Sequence, residues 1–271
     1  MGQGWEMKVG ACPLVAAAIH DGHAVRPGLL AKLASSDRQR LREEDPWTAR
    51  WLPLSDTWIR VDRSRFECDL NRAPEACLYA SADEAWGLEP WRSPPDALDH
   101  AESRRWHEAF YAQVGALLTE LAERFGAFVV YDLHSYNHRR RGPDAPADPP
   151  ERAPEINVGT GSLDEQRWGH VVDAFIGSLR AHEFRGRQLD VQQNVRFQGG
   201  YFPRWIHSRF GDRGCALAIE VKKLFMDEWS GVLDEGTVLE VGRALEATVP
   251  PVLAALFAAR RGPTVSRRVR P

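Results

Sequence analysis

Four cysteines in 271 residues, with no Cys-x-x-Cys pair among them, leave this chain without a disulfide framework or a cysteine zinc motif. Cys12, Cys68, Cys77 and Cys215 read as reduced structural thiols of a cytoplasmic protein. Charge of one sign is equally scarce. Net charge is -3 and the arginines are interleaved with acids, which excludes a nucleic-acid or membrane partner recruited by bulk electrostatics. No stretch approaches the roughly 20 apolar residues of a membrane span. The run from Cys12 to Ile19 has the apolar character of a signal-peptide core. Glu6 beside Lys8 gives it no positive flank, however, and it leads straight into His20 as a buried strand leads into a site loop. There is no internal repeat, and no Gly-x-Ser-x-Gly elbow surrounds Ser135, so a serine nucleophile is excluded.

What is present is apolar material for one substantial core, at 43% hydrophobic and 27% charged. Residues 11–19 read as a buried strand. Residues 27–52 read as helix with polar breaks, Pro27 in the first turn and Leu29, Leu30 and Leu33 at helical spacing. Trp58, Ile59 and Val61 predict a short strand, and the alternation in RFECDL predicts another over Phe66, Cys68 and Leu70. Residues 81–100, with Pro90, Pro94 and Pro95, read as loop. A helical face recurs through Trp106, Phe110, Val114, Leu117, Leu118 and Leu121, with Gly126 placed to end it.

AFVVYDLHS and CALAIEV are continuous apolar runs of the kind buried on both faces of a sheet, and LDVQQNV is strand-like. Residues 164–184 and 235–259 read as helices. Residues 139–154, Pro-rich and charged, read as a mobile loop, FQGGYFPRW as a glycine turn, and the tail 260–271 as frayed and basic. Helices alternating with buried strands predict a single α/β domain, residues 1–271, with a mostly parallel or mixed central sheet flanked by helices.

Three buried strands run into chemically capable side chains: His20 after AAAI, His134 with Ser135 after FVVYDL, and Glu220 after ALAI. Ligands collect at the carboxyl ends of strands in open α/β sheets, so the three are expected at one edge. Two imidazoles and an acid suit a catalytic zinc, which takes three protein ligands and keeps a fourth position for water. Glu43, Glu44 and Asp45 are the local candidates for the acid. His23, His138, His170, His182 and His207 read as surface or supporting residues.

The segments IHDG, EDPWT, SRFECDLNR, DLHS, PEINVGT, NVRFQGGYF and IEVKKLFMDE, in that order across residues 19 to 228, resemble the N-formylglutamate amidohydrolase family. The resemblance implies a fold like that of the zinc carboxypeptidases (phosphorylase/hydrolase-like) and one zinc ion per chain held by His20, Asp45 and His134. It places Glu220 as general base, with Asn71 and Arg72 on a substrate carboxylate. Arg presents a planar fork that matches carboxylate, which gives the last role a physical basis.

The chain departs from the family at His23, whose spacing from His20 also allows chelation. Glu44 competes with Asp45 for the metal, and Lys222 and Lys223 lie near the base. The glycines at 199 and 200 permit a tight turn, or bring Tyr201 or Arg204 to the scissile group. The expectation is a cytoplasmic zinc-dependent amidohydrolase acting on an acidic N-acyl amino acid such as N-formyl-L-glutamate. The alternatives are a carboxypeptidase-like peptidase or specialised deacylase acting on a peptide or larger amide, and a non-catalytic metal- or small-molecule-binding module. No oligomeric state is implied.

Overall fold

A computed structural model describes residues 3–258, so the expectation of a frayed tail at 260–271 lies outside the described residues. Seven strands form the central sheet: β1 (Trp5–Lys8), β2 (Leu14–Ala18), β3 (Thr57–Val61), β4 (Phe128–Tyr136), β5 (Ile156–Gly159), β8 (Val191–Gln193) and β9 (Gly214–Lys222), with a small hairpin of β6 (Glu183–Phe184) and β7 (Arg187–Gln188) apart from it. Their order is β1-β3-β2-β4-β9-β5-β8. The inner strands β3, β2, β4 and β9 run parallel, while β1 is antiparallel to β3 and β5 to β9, so the sheet is mixed.

Both faces are covered, and the period of two along each strand decides what goes where. Leu14, Ala16 and Ala18, Val129, Tyr131 and Leu133, and Cys215, Leu217 and Ile219 face a core closed by α4 (Glu165–Ala181), α6 (Glu235–Ala247) and α7 (Val249–Ala258). Val15, Ala17 and Ile19, with Phe128, Val130 and Ala216, face α3 (Ala97–Phe125) and α5 (Tyr201–Phe210). Continuing that alternation puts Asp132, His134 and Glu220 on the α3/α5 side, where His134 is the direct register partner of Glu220. Asp96 caps α3 at its N-terminus through the amides of Leu98 and Asp99, and Gly126 ends it at φ 75°.

Several elements differ from the sequence reading. Phe66, Cys68 and Leu70 are buried but form no strand; the segment is a chain of turns, its amides bonded to Ser64 and Cys77 carbonyls. The neighbouring places along β3 are already taken by β1 and β2, which leaves it no edge to pair with. The glycine turn continues directly into α5, where Pro203 sits in the first turn and forfeits no helical hydrogen bond.

The last helix divides into α6 and α7 at Thr248, ahead of Pro250 and Pro251, which have no amide hydrogen to donate. By length and composition alone, the combined stretch Glu235–Ala258 is long and apolar enough to cross a membrane, a run that the sequence reading passed over. Val238, Val241, Leu245, Val252 and Leu256, however, are spent on the core. Two further short helices, α1 (Pro27–Leu30) and α2 (Asp37–Glu43), lead from His20 toward Asp45.

Candidate metal and catalytic site

His20 follows β2, His134 lies near the carboxyl end of β4, and Asp45 stands just beyond α2; all three are buried. The carboxyl ends of the parallel strands thus bring together residues far apart in sequence. His20 Nδ1 and His134 Nδ1 are 3.2 Å apart, and Asp45 Oδ2 lies 2.9 Å from His134 Nδ1 and 3.4 Å from His20 Nδ1. These three donor atoms lie within 4.8 Å of one another.

The far sides of both rings face carboxylates. His20 Nε2 bonds Asp69 Oδ1 at 2.8 Å, and His134 Nε2 stands 2.8 Å from Asp132 Oδ1. The second contact is off the hydrogen-bonding axis, and among the described residues neither Asp132 oxygen has a hydrogen-bond partner. Protons held at Nε2 toward these acids leave lone pairs at both Nδ1 atoms, pointing at a third acceptor, Asp45. Three acceptors facing one point call for a cation, and carboxylates behind the rings are the usual outer support of a metal-bound histidine. The donor set fits zinc. Without a metal, burial alone would lower the His134 pKa, but Asp132 and Asp45 hold it well above the ordinary imidazole range, so Nδ1 shares a proton with Asp45 that a bound cation would displace. Burial alone would raise Asp45, yet its bonds to the two histidines hold it well below the usual carboxylate range.

Glu220 is the fourth participant, beside His134 in the neighbouring strand. Burial pushes its carboxyl up to about 7, with Asp45 and Asp132 adding to the effect and His134 opposing it. A carboxylate poised there is well matched to proton transfer near neutral pH.

These groups line a cavity of about 310 Å³ whose wall also carries Arg65, Arg140, Arg196 and Lys223, with Trp86 and Phe197 between them. Asn157 on β5, the antiparallel neighbour of Glu220, holds part of this wall. Its Oδ1 accepts from the amides of Val195 and Arg196 at 3.0 and 2.8 Å, and its Nδ2 donates to Phe197 O. The 139–154 segment forms no helix or strand, as expected, but it is pinned. Arg139 pairs with Asp227, Arg140 with Glu43 at 2.9 Å, and Asp148 with Arg196 at 2.9 Å.

Other candidates from the sequence fall elsewhere. His23 bonds Glu44 at 2.5 Å and Glu44 also takes the Ser64 hydroxyl, so both are committed to each other behind Asp45. Asn71 lines the cavity, but Arg72 does not: its guanidinium turns to Glu84 at 2.8 Å and lies over the Tyr79 ring. Asp69, three positions before Arg72, is held by Arg65 at 2.9 Å. Arg204 points back to Gly199 O from the exposed face of α5 and does not reach the cavity. Lys222 donates to Ala153 O, away from Glu220. At the glycine pair, Gly199 adopts φ 104°, and a Cβ on Gly200 would fall 2.2 Å from Asn71 Oδ1. That close approach lets Asn71 accept the Phe202 amide at the start of α5.

Lys223, read from the sequence as a cation near the base, does line the cavity, whereas Asp69, Asp132, Arg65 and Asn157 escaped the sequence reading as site residues. Asp132 was the most accessible of them, since a residue two positions before His134 on a strand must share its face.

Among curated proteins, none matches this sequence. Among solved structures, the chain is similar to N-formylglutamate amidohydrolase from Ralstonia eutropha JMP134, with TM-score 0.72 and 16% identity over 96% of this chain and 99% of that one. It is also similar to the gene product Atu2144 from Agrobacterium tumefaciens, with TM-score 0.65 and 18% identity over 94% and 97% of the two chains. At such identities the likeness establishes the fold. The sequence model for N-formylglutamate amidohydrolase matches residues 12–226, from the approach to His20 to just beyond Lys223. By that match the chain belongs to the N-formylglutamate amidohydrolase family.

Proposed function

We propose that this amidohydrolase is zinc-dependent and cleaves the amide of an anionic N-acyl amino acid, with N-formyl-L-glutamate as the reference substrate. The observation that carries the reading is the convergence of His20 Nδ1, His134 Nδ1 and Asp45 Oδ2 on one point beside a carboxyl raised to about 7. A zinc ion held by these residues supplies Lewis acidity and lowers the pKa of water. Glu220 takes the proton from the attacking water and returns it to the leaving nitrogen, so no covalent enzyme intermediate is required.

Arg140 sits on the cavity wall bonded, among the described residues, through Nη2 alone, to Glu43. The rest of its fork is suited to the substrate carboxylate, holding the scissile amide in register with Glu220. Both Nη atoms of Arg196, by contrast, are engaged, by Asp148, Arg152 O and Asn137 O. Arg72 would take part only if it left Glu84. Trp86 and Phe197 favour a second reading in which the acyl or side-chain group is larger and apolar, as in a deacylase or a carboxypeptidase-like enzyme.

The test is hydrolysis of N-formyl-L-glutamate, N-formyl-L-phenylalanine, and short peptides with free or amidated carboxyl ends. Glu220→Gln is the control, expected to lose roughly 10²–10⁴-fold in kcat while retaining metal. Near-full turnover by that variant overturns the mechanism, and preference for the phenylalanine compound selects the second reading.

A further inference from the structure

We propose that Lys223 is a positioning residue that sets the direction of the Asp45 carboxylate in the metal site. This rests on the reading of His20, Asp45 and His134 as the metal-holding set. Lys223 follows the last residue of β9, three positions after Glu220, and is only 2% exposed. A buried ammonium normally finds a carboxylate, yet among the described residues Lys223 is in no ion pair. Its Nζ donates to two backbone carbonyls, Arg42 O at 2.5 Å and Glu44 O at 2.9 Å.

Arg42 O belongs to the last turn of α2, where carbonyls lack helical partners and a cation is favoured. Glu44 O belongs to the peptide unit whose other end is the Asp45 amide, and that amide donates to His20 O at 3.0 Å. The Glu44–Asp45 peptide plane is therefore gripped on both edges, by Lys223 at the oxygen and by His20 at the nitrogen. On the other side of the Cα, Asp45 O accepts from the Thr48 hydroxyl at 2.8 Å and the Thr48 amide at 3.3 Å. With both flanking peptide planes held, the Cα–Cβ direction of Asp45 is fixed and aims its carboxylate at the two imidazoles. The lysine backbone amide donates to Tyr136 O at 3.0 Å, which anchors the ammonium to β4, the strand that carries His134. One residue thus ties together the three chain segments that supply His134, Glu220 and Asp45.

Positioning and simple electrostatics predict opposite signs. Removing a buried positive charge near a cation site should tighten metal binding, whereas releasing the Glu44–Asp45 peptide should weaken it. The experiment measures zinc and cobalt affinity by chelator competition, together with Asp45 amide exchange in the metal-free protein, for wild type, Lys223→Met and Lys223→Gln. A third variant, Lys223→Ala, is measured with and without propylammonium, using tetramethylammonium at equal ionic strength as the control.

We expect Lys223→Met to bind metal roughly 10–100-fold more weakly, with faster Asp45 exchange, and propylammonium alone to restore affinity to Lys223→Ala. If Lys223→Met does not fold, the amine rescue of Lys223→Ala carries the same prediction, and Lys223→Gln, whose amide keeps N–H donors on a shorter side chain, is expected to lose less than roughly 10-fold. A folded Lys223→Met that binds metal as tightly as a metal-binding wild type, or a Lys223→Ala that propylammonium rescues no better than tetramethylammonium, overturns this inference and leaves the proposed function standing. A wild type that binds neither metal overturns the proposed function and this inference with it.

Discussion

His134 is buried and His207 half-buried, and the two are driven in opposite directions. His207, on α5, accepts the Ala216 amide at Nε2 at 2.9 Å and meets the Ser162 hydroxyl at Nδ1 at 2.7 Å. That leaves the Nδ1 proton for Ser162 and a ring that must be neutral, because a second proton at Nε2 would confront the Ala216 N–H. Burial pushes its pKa down to about 4. His134 has carboxylates on both sides, Asp45 and Asp132, and the same burial is overcome. Burial does not make an imidazole functional. What separates the two is whether the ring's partners leave a nitrogen that a cation can take from its proton or use up every site it has.

The sharpest break in this comparison is metal content. His134→Ala is expected to lose all bound zinc, whereas His207→Gln retains about one equivalent and keeps turnover. Zinc per chain, measured on protein purified without chelator, checks both. Zinc retained in His134→Ala would remove the distinction between the two histidines.

A smaller effect separates them by pH in the metal-free protein. The folded pKa of His207 is about 4 against 6.5 in the unfolded chain, so only the unfolded state gains a proton as the pH falls through that window. Stability is therefore whole above about pH 6.5 and declines toward pH 4, by up to about 3 kcal/mol for a shift of this size. Gln at position 207 does not titrate and still offers an oxygen to the Ala216 amide. Urea unfolding at pH 7 and pH 4.5 should show a smaller acid loss in His207→Gln than in wild type. Equal losses would mean that other groups carry the acid sensitivity.

How far such a contrast can be read from sequence depends on what sets it. The strands leading into His20, His134 and Glu220 were legible because unbroken apolar runs have few other fates, and their parallel pairing follows from helices between them. The turn segment 64–72 was misread as strand because RFECDL alternates, and alternation reports burial of every second residue without saying whether an edge is free. Arg72 was the natural anion-binding choice beside Asn71. Its turn toward Glu84 depends on a loop that carries no periodicity to read. Lys223 was visible as one of two adjacent lysines near the base, with nothing to tell the two apart. Its role depends on a contact with α2 across about 180 residues of chain, which no local pattern encodes.

The finest test compares the two carboxylates behind the histidines. Asp69 is aligned on His20 Nε2 and is itself held by the Asn71 amide at 2.8 Å, Arg65 at 2.9 Å and the Tyr79 hydroxyl. Asp132 touches His134 off axis and, among the described residues, has no hydrogen-bond partner at either oxygen. Replacing Asp69 with Asn turns an amide donor toward at least one of its donor neighbours and frees His20 to rotate. Replacing Asp132 with Asn removes a charge that was poorly satisfied from the start. Asp69→Asn is therefore expected to cost about 100-fold in zinc affinity and to lower Tm, and Asp132→Asn about tenfold with Tm unchanged or raised. Chelator competition and thermal melts on the same preparations decide it. The reverse order would mean that net negative charge behind the ring, and not an aligned and supported hydrogen bond, is what readies a histidine in this site for the metal.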